Sequence, residues 1–537
     1  MTVTVARGID GRLVALGLAS CLVAGCGRPA AVERPVADAA ARAVAGRSAG
    51  DKLVAGAVSA LSRLDDFDEQ RAYEQAFDRL NQWSHLTSAA VEGWRVDPLV
   101  ATLREPLRNA AAGLDRGVFD AGDDVIAIRD RRWLADIAES ARGDAEDDLA
   151  CAQRLFAWTI RSLAVVSDPP MVPTADTPGT RWFLPGEVLL AGRASAAQRS
   201  WIFIELLRQA GIDGVMLATG DPAAGTLRPW VPAAIVAGEV HLFEPTYGLP
   251  VPGPDGTGVA TVRQAAGDPA VLAALSVPDR PYPVKATDIG TLSILVVADP
   301  WSLSRRMAAF DRECASRHGM RLAVDAAAVG RRAAAALGRD DAHVGLWEFP
   351  WETAIRRRGD AAVETAMRRE LASLQAAVPD GSGGDRGPPR VVRPLFNARV
   401  REFRGDLDGP DGAKASYLAA RPSRAAIQRI LQSVPPAQTE AVERMFRQMK
   451  EDATYWLGVV TLAEGENEAA VDYLQRMTLD AAPDSRWTDA ARENLGLALA
   501  ALGRTAEAAE VLRQDGSPQR FGSQIRAARL EKKAEGP

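Results

Sequence analysis

The apolar residues of this chain mostly recur at helical spacing. Between residues 51 and 144, Leu53, Ala57, Ala60, Leu61 and Leu64 fall on one side of a helix,. Tyr73, Phe77 and Leu80 repeat the spacing, as do Trp133, Ile137 and Ala141. This predicts a helical region with Trp83, Trp94 and Trp133 as packing anchors. A further helix carries Leu149, Leu155, Phe156, Ile160 and Leu163 on its apolar face. Residues 164–194 hold five prolines and read as a loop,. After it, Ile202 and Leu206 share one side of a helix, and Phe203, Leu207 and Ala210 the next,. Ser195 suits its N-cap and Gly211 its C-terminal stop. The pattern then shortens to strands: IDGVMLA, then VPAAIV and EVHLF joined at Ala237-Gly238 as a hairpin,.

From 262 to 275 a short helix is expected. Beyond it the chain alternates: LSILVV as a strand, 302–314 as a helix, MRLAV as a strand, 326–337 as a helix and HVGLWEF as a strand. This predicts a small separate α/β segment over 281–378. Residues 379–389, PDGSGGDRGPP, read as a linker,. Residues 390–537 are helical again. The fold class expected overall is α+β and mainly helical, with an α-solenoid at the C-terminal end.

Helix followed by three strands, over residues 145–280, is the skeleton of the transglutaminase-like superfamily, and the wording is similar too. LLRQAGID resembles the segment after that family's catalytic helix, and RPWVPAAIVAGEVHLFEPT resembles its two-strand segment. The resemblance implies a Cys at the head of the helix, a His before the Trp of the first strand and an Asp ending the second. Those positions hold Ala196, Arg228 and Glu244. Alanine has no nucleophile, and a guanidinium stays protonated and cannot serve as a base. Thiol chemistry needs nucleophile, base and orienting group together, so the expectation is a pseudoenzyme. An ion pair between Arg228 and Glu244 would replace the family's His–Asp pair. Ser195, beside the Cys position, is the one hydroxyl that an enzyme reading could use. Cys151 reads as a small half-buried residue. His241 falls on the strand face opposite Glu244.

A repeat organises the C-terminal part. Leu457, Gly458, Gly465 and Ala470 recur as Leu495, Gly496, Gly503 and Ala508, and Leu474 recurs as Leu512, all 38 residues on. This resembles the tetratricopeptide repeat, whose usual period is 34. The resemblance places Leu-Gly on a first helix, Gly at its end and Ala where the second helix crosses it. Gly458 and Gly496 are expected to face Ala470 and Ala508, and Ala509 to lie nearer the surface. Residues 394–422 have a similar outline around Gly405, and 424–450 are expected to add two helices. GSQIRAARLEKK would cap the array.

The N-terminus carries an address. Residues 13–24 are apolar but too short to span a bilayer,. They end in Val23-Ala24-Gly25-Cys26, the pattern of a bacterial lipobox, so residues 1–26 are expected to be a signal peptide, with Cys26 taking the lipid. Residues 27–50 read as a tether. The expected place is the bacterial cell envelope, lipid-anchored on the periplasmic side.

Composition narrows the function. The net charge is −6, which argues against a general nucleic-acid binder,. Lysine occurs six times against 64 Lys and Arg together, so the cations are nearly all arginine. Beyond the signal segment only Cys151 and Cys314 remain, and His85, His241, His318 and His343 are scattered. No metal or cofactor is expected. The leading reading is an envelope lipoprotein that binds a protein or peptide partner on its helical repeats. The alternatives are an enzyme using non-standard residues and a self-assembling structural protein.

Overall fold

Both faces of the central sheet are covered, which is why its strands read as nearly continuous apolar runs. The structure, a computed structural model, describes residues 36–65, 68–87, 93–167, 181–379 and 391–534. The signal peptide with Cys26 and nearly all of the 379–389 linker lie outside the described residues. The chain is mainly helical with a mixed sheet, an α+β architecture.

A short parallel pair comes first, β1 (Ala164–Val166) with β2 (Arg193–Ser195). The main sheet follows: β3 (Asp213–Thr219), β4 (Arg228–Val236), β5 (Glu239–Glu244), β6 (Leu249–Pro250), β7 (Ser293–Val296) and β8 (Val344–Leu346). Its order is β6-β5-β4-β3-β7-β8, antiparallel except for the β7–β8 pair. The β4–β5 hairpin turns at Ala237 (φ 51°) and Gly238 (φ 78°), the left-handed pair that a two-residue hairpin needs,. Side chains alternate as a strand period requires. Val215, Leu217, Val231, Ala233, Val240 and Leu242 pack to one side with the helix Ala326–Leu337,. Met216, Ala218, Ala234, Phe243 and Leu295 turn to the other. There the helix Ala196–Gln209 is seated by a three-ring cluster of Phe156, Phe203 and Phe243, with centroids 4.8–5.2 Å apart.

Several expectations are corrected. The 281–378 segment does not form a sheet of its own: its strands β7 and β8 extend the sheet begun by β3. Two elements interrupt the expected 164–194 loop, the β1–β2 pair and the helix Pro185–Ala191, which starts on its proline,. MRLAV is not a strand, because the Asp311 carboxylate takes the Leu322 and Ala323 N–H groups that a ladder would use. HVGLWEF is a strand only over Val344–Leu346, and a helix starts at Glu348. The 262–275 helix is broken at Asp268, which caps a second helix starting at Pro269. The 302–314 helix runs instead over Arg305–Arg317, with Ser304 as its N-cap. The tether expected over 27–50 is helical from residue 36, in the helix Val36–Ser62.

In the C-terminal region, helices Pro394–Phe403 and Ala413–Ala419 flank Gly405 (φ 76°). The second of the two helices expected over 424–450 runs on into the first repeat helix, giving Thr439–Ala463. The 38-residue periodicity is geometric as well as lexical. A Cβ on Gly458 would meet Leu474 at 2.7 Å, and one on Gly496 would meet Leu512 at 2.7 Å. The glycines therefore face those leucines and not Ala470 and Ala508, although both alanines are fully buried. Leu457 and Leu495 are buried as well, and Gly465 (φ 78°) and Gly503 (φ 76°) close the first helix of each pair. Ala509 is also buried, against Ala527 of the last helix, contrary to the expected register. Ala508→Leu and Ala509→Leu should therefore each cost about 1–3 kcal/mol by overpacking, read as matched losses in thermal melts. Little change in Ala509→Leu would contradict this packing.

These helices share one hydrophobic core with the sheet region, running from Leu134 through Phe203 to Trp456 and Leu495. The seam is polar as well. Arg399 lies 3.6 Å over the Trp456 ring and donates to Leu189 O at 2.6 Å. Glu370 collects Arg181 (2.8 Å), Arg193 (3.0 Å) and Arg486 (3.3 Å). Burial opposes the charge of Glu370, but the three guanidiniums outweigh it and bring its pKa down to about 2,. Because the folded value lies below the ordinary one, this contribution is complete above the usual carboxylate range. It is lost as pH falls from there toward about 2. It is on the order of 3 kcal/mol, so stability should decline with acid over that window. Glu370→Gln should flatten that decline, as read by urea titrations across pH.

Candidate functional site

The head of the helix Ala196–Gln209 opens onto a cleft of about 560 Å³. Ser195 caps the helix: its Oγ accepts from Gln198 N at 3.2 Å, and Gln198 Oε1 accepts from Ser195 N at 3.0 Å,. Fully buried and committed to this box, Ser195 does not face the cleft. Ala196 does, together with Ser200 one turn on. The Ser200 hydroxyl donates back to Ala196 O at 2.9 Å. Met216 and Leu295 form the sheet side, and Trp230, Trp347 and Phe349 supply aromatic walls. Trp347 and Phe349 stack at 5.2 Å and 23°. The volume and the apolar, aromatic lining are those of a ligand pocket.

The three positions singled out in sequence do not converge as a catalytic group. Arg228 starts β4 and is exposed. Glu244 ends β5, is buried, and is not paired with Arg228, so the expected ion pair is absent. Its Oε2 accepts from the Tyr282 hydroxyl, and its Oε1 accepts from Thr246 N at 2.9 Å. The Tyr282 oxygen in turn accepts from Trp230 Nε1 at 2.9 Å. Trp230, on the cleft wall, is thus tied through Tyr282 to a carboxylate sealed behind it. Burial raises the pKa of both Glu244 and Tyr282.

The remaining candidates fare similarly. His241 packs beside Val259 O, and burial lowers its pKa. Cys151 is more fully buried than expected, and burial raises its thiol pKa, opposite to the shift an activated thiol shows,. His343 lines the cleft from the loop before β8. Among the described residues no group of three or more His, Cys, Asp or Glu could hold a metal ion. None of their helices is long and apolar enough to cross a membrane.

The family resemblance reached Ala196, and it used Trp230, the Trp of the first strand, only as a landmark. It missed Tyr282, Trp347 and Phe349. The paired aromatics of LWEF are a signal that the strand expectation over HVGLWEF hides. Tyr282 sits between two prolines in an irregular stretch and gave no signal. Comparison with known proteins finds no match, whether to a family model, a curated protein or a solved structure.

Proposed function

We propose that the protein is a non-catalytic binding protein of the bacterial envelope. In this reading its core is transglutaminase-like with the reaction lost. The lipid on Cys26 holds it to the membrane, and the tetratricopeptide-like helix pairs support the fold. One observation carries the reading. The cleft stays open and aromatic at Ala196, while the one acid at a family position, Glu244, is bonded away behind Trp230 and Tyr282. An aromatic cleft of this size suits an apolar segment of a partner protein. The repeat helices suit a supporting role, since Thr439–Ala463 and Thr488–Ala501 spend their inner faces on the chain's own core.

Two measurements test this. Purified protein should hydrolyse esters and incorporate amines no faster than buffer. An activity that disappears in Ser200→Ala, His343→Ala or Cys151→Ser would overturn the reading. A photo-crosslinking residue at Leu227, in the cleft wall, should give discrete protein adducts in cells. Ala196→Trp, which fills the cleft, should abolish them.

A further inference from the structure

A second cavity, of about 390 Å³, lies between the end of the helix Asp148–Ser162 and the helix Thr439–Ala463. Its walls include Trp158, Leu407, Val459, Val460, Glu402 and Arg161. The Arg161 guanidinium makes no hydrogen bond and no ion pair among the described residues, and its Nε is shut off from solvent without a partner. Three fully buried guanidiniums are engaged. Arg129 holds Asp130, Arg131 holds Asp299, and Arg399 holds Glu402 and Leu189 O.

Glu402 makes no ion pair with Arg161. Its Oε2 accepts from Arg399 at 2.7 Å and from the Tyr417 hydroxyl, and its charge reaches Arg161 without a direct bond. Arg154, also in the wall, pairs with Asp144. Arg161 and Arg399 against Glu402 leave one positive charge in excess on the cavity wall, on the half-buried Arg161. The helix C-terminus favours a cation there, but it leaves the guanidinium donors unused. Burial pushes the Arg161 guanidinium down, yet arginine keeps its proton at working pH. An unpaired charge in such a place is costly, and a ligand that pairs with it gains the difference. Trp158, Leu407, Val459 and Val460 supply the cavity's apolar side.

We propose that this cavity binds a monocarboxylate carrying a short apolar stem, with its carboxylate on Arg161 and its stem against Trp158, Val459 and Val460. A dianion such as phosphate fits less well, because it exceeds the single positive charge and faces Glu402. The stem can come from a fatty acid or from the C-terminal end of an apolar peptide.

Calorimetric titration of the full chain in detergent tests the proposal, with octanoate and acetyl-leucyl-leucine as probes. Saturable one-site binding of at least one probe is expected. Octanol, the same stem without charge, should bind at least tenfold more weakly than octanoate. Arg161→Met should weaken the carboxylate at least tenfold while melting no lower than the parent protein. If that variant does not fold, the octanoate–octanol comparison on the unaltered protein decides. Ala196→Trp should leave binding intact, which separates this cavity from the aromatic cleft. Tighter octanoate assigns a lipid source, and tighter acetyl-leucyl-leucine a peptide end. No saturable binding of either, equal affinity for octanol, or loss of binding in Ala196→Trp would overturn it.

Discussion

Arg199→Met should lower the melting temperature more than any conservative core substitution in this chain. Arg199 lies in the helix Ala196–Gln209 and is 1% exposed. Its Nε donates to Leu163 O at 2.8 Å, and its NH1 to Pro245 O at 2.9 Å and Gln519 Oε1 at 2.6 Å. Its NH2 donates to Leu163 O and to Ile160 O. No carboxylate pairs with it, so five donors meet oxygens from three separate parts of the chain. Burial drops the pKa of the guanidinium to about 9. Methionine fills the volume but leaves three backbone carbonyls and an amide oxygen without a donor. At about 1–3 kcal/mol for each buried orphan, the loss is several kcal/mol, beyond what relief from burying a charge offsets. Arg199→Lys should recover little, because an ammonium on a flexible stem cannot present the planar fork. Thermal denaturation of the three proteins checks this, and a Lys variant as stable as the parent would contradict it.

The role of Arg199 shows where sequence reading stops. The helix around it was legible from its 3.6-residue period and its Ser195 cap, since both are local. The strands β3 to β5 were legible because turn chemistry at Ala237-Gly238 and apolar runs mark them. What Arg199 touches was not legible, since Ile160, Pro245 and Gln519 are brought together only by the tertiary fold. The same holds for Tyr282 behind Trp230. The assignment of β7 and β8 to the first sheet was hidden likewise, because alternation of helix and strand does not say which sheet edge a strand joins. The cleft was legible in part: Ala196 follows from the family resemblance, whereas Trp347 and Phe349 arrive from more than a hundred residues further on.

Gly192→Ala is expected to be the second large effect. Gly192 ends the helix Pro185–Ala191 in the left-handed region, at φ 63°. An alanine there costs about 1–2 kcal/mol in backbone strain alone. Its Cβ would also lie 2.0 Å from Cζ2 of Trp456. That indole is 2% exposed and held between Arg399 and the Tyr455–Trp487 stack, so it cannot swing away. The clash therefore falls on the seam between the helix pairs and the sheet region. Trp456→Leu should be destabilising by itself but should partly rescue Gly192→Ala. The double-mutant cycle should show coupling of at least about 1 kcal/mol. Additive losses would mean that the two side chains do not meet.

That seam bears on how the molecule comes apart. A core shared from Leu134 to Leu495 leaves no boundary at which one part can melt while the other persists. Calorimetry should therefore record one endotherm for residues 48–537, with van't Hoff and calorimetric enthalpies in agreement. The helix pairs are in that sense not a module that can be borrowed. Excised, they would expose Trp456 and Trp487 to water and associate with one another, and the sheet left behind would lose one wall of its core.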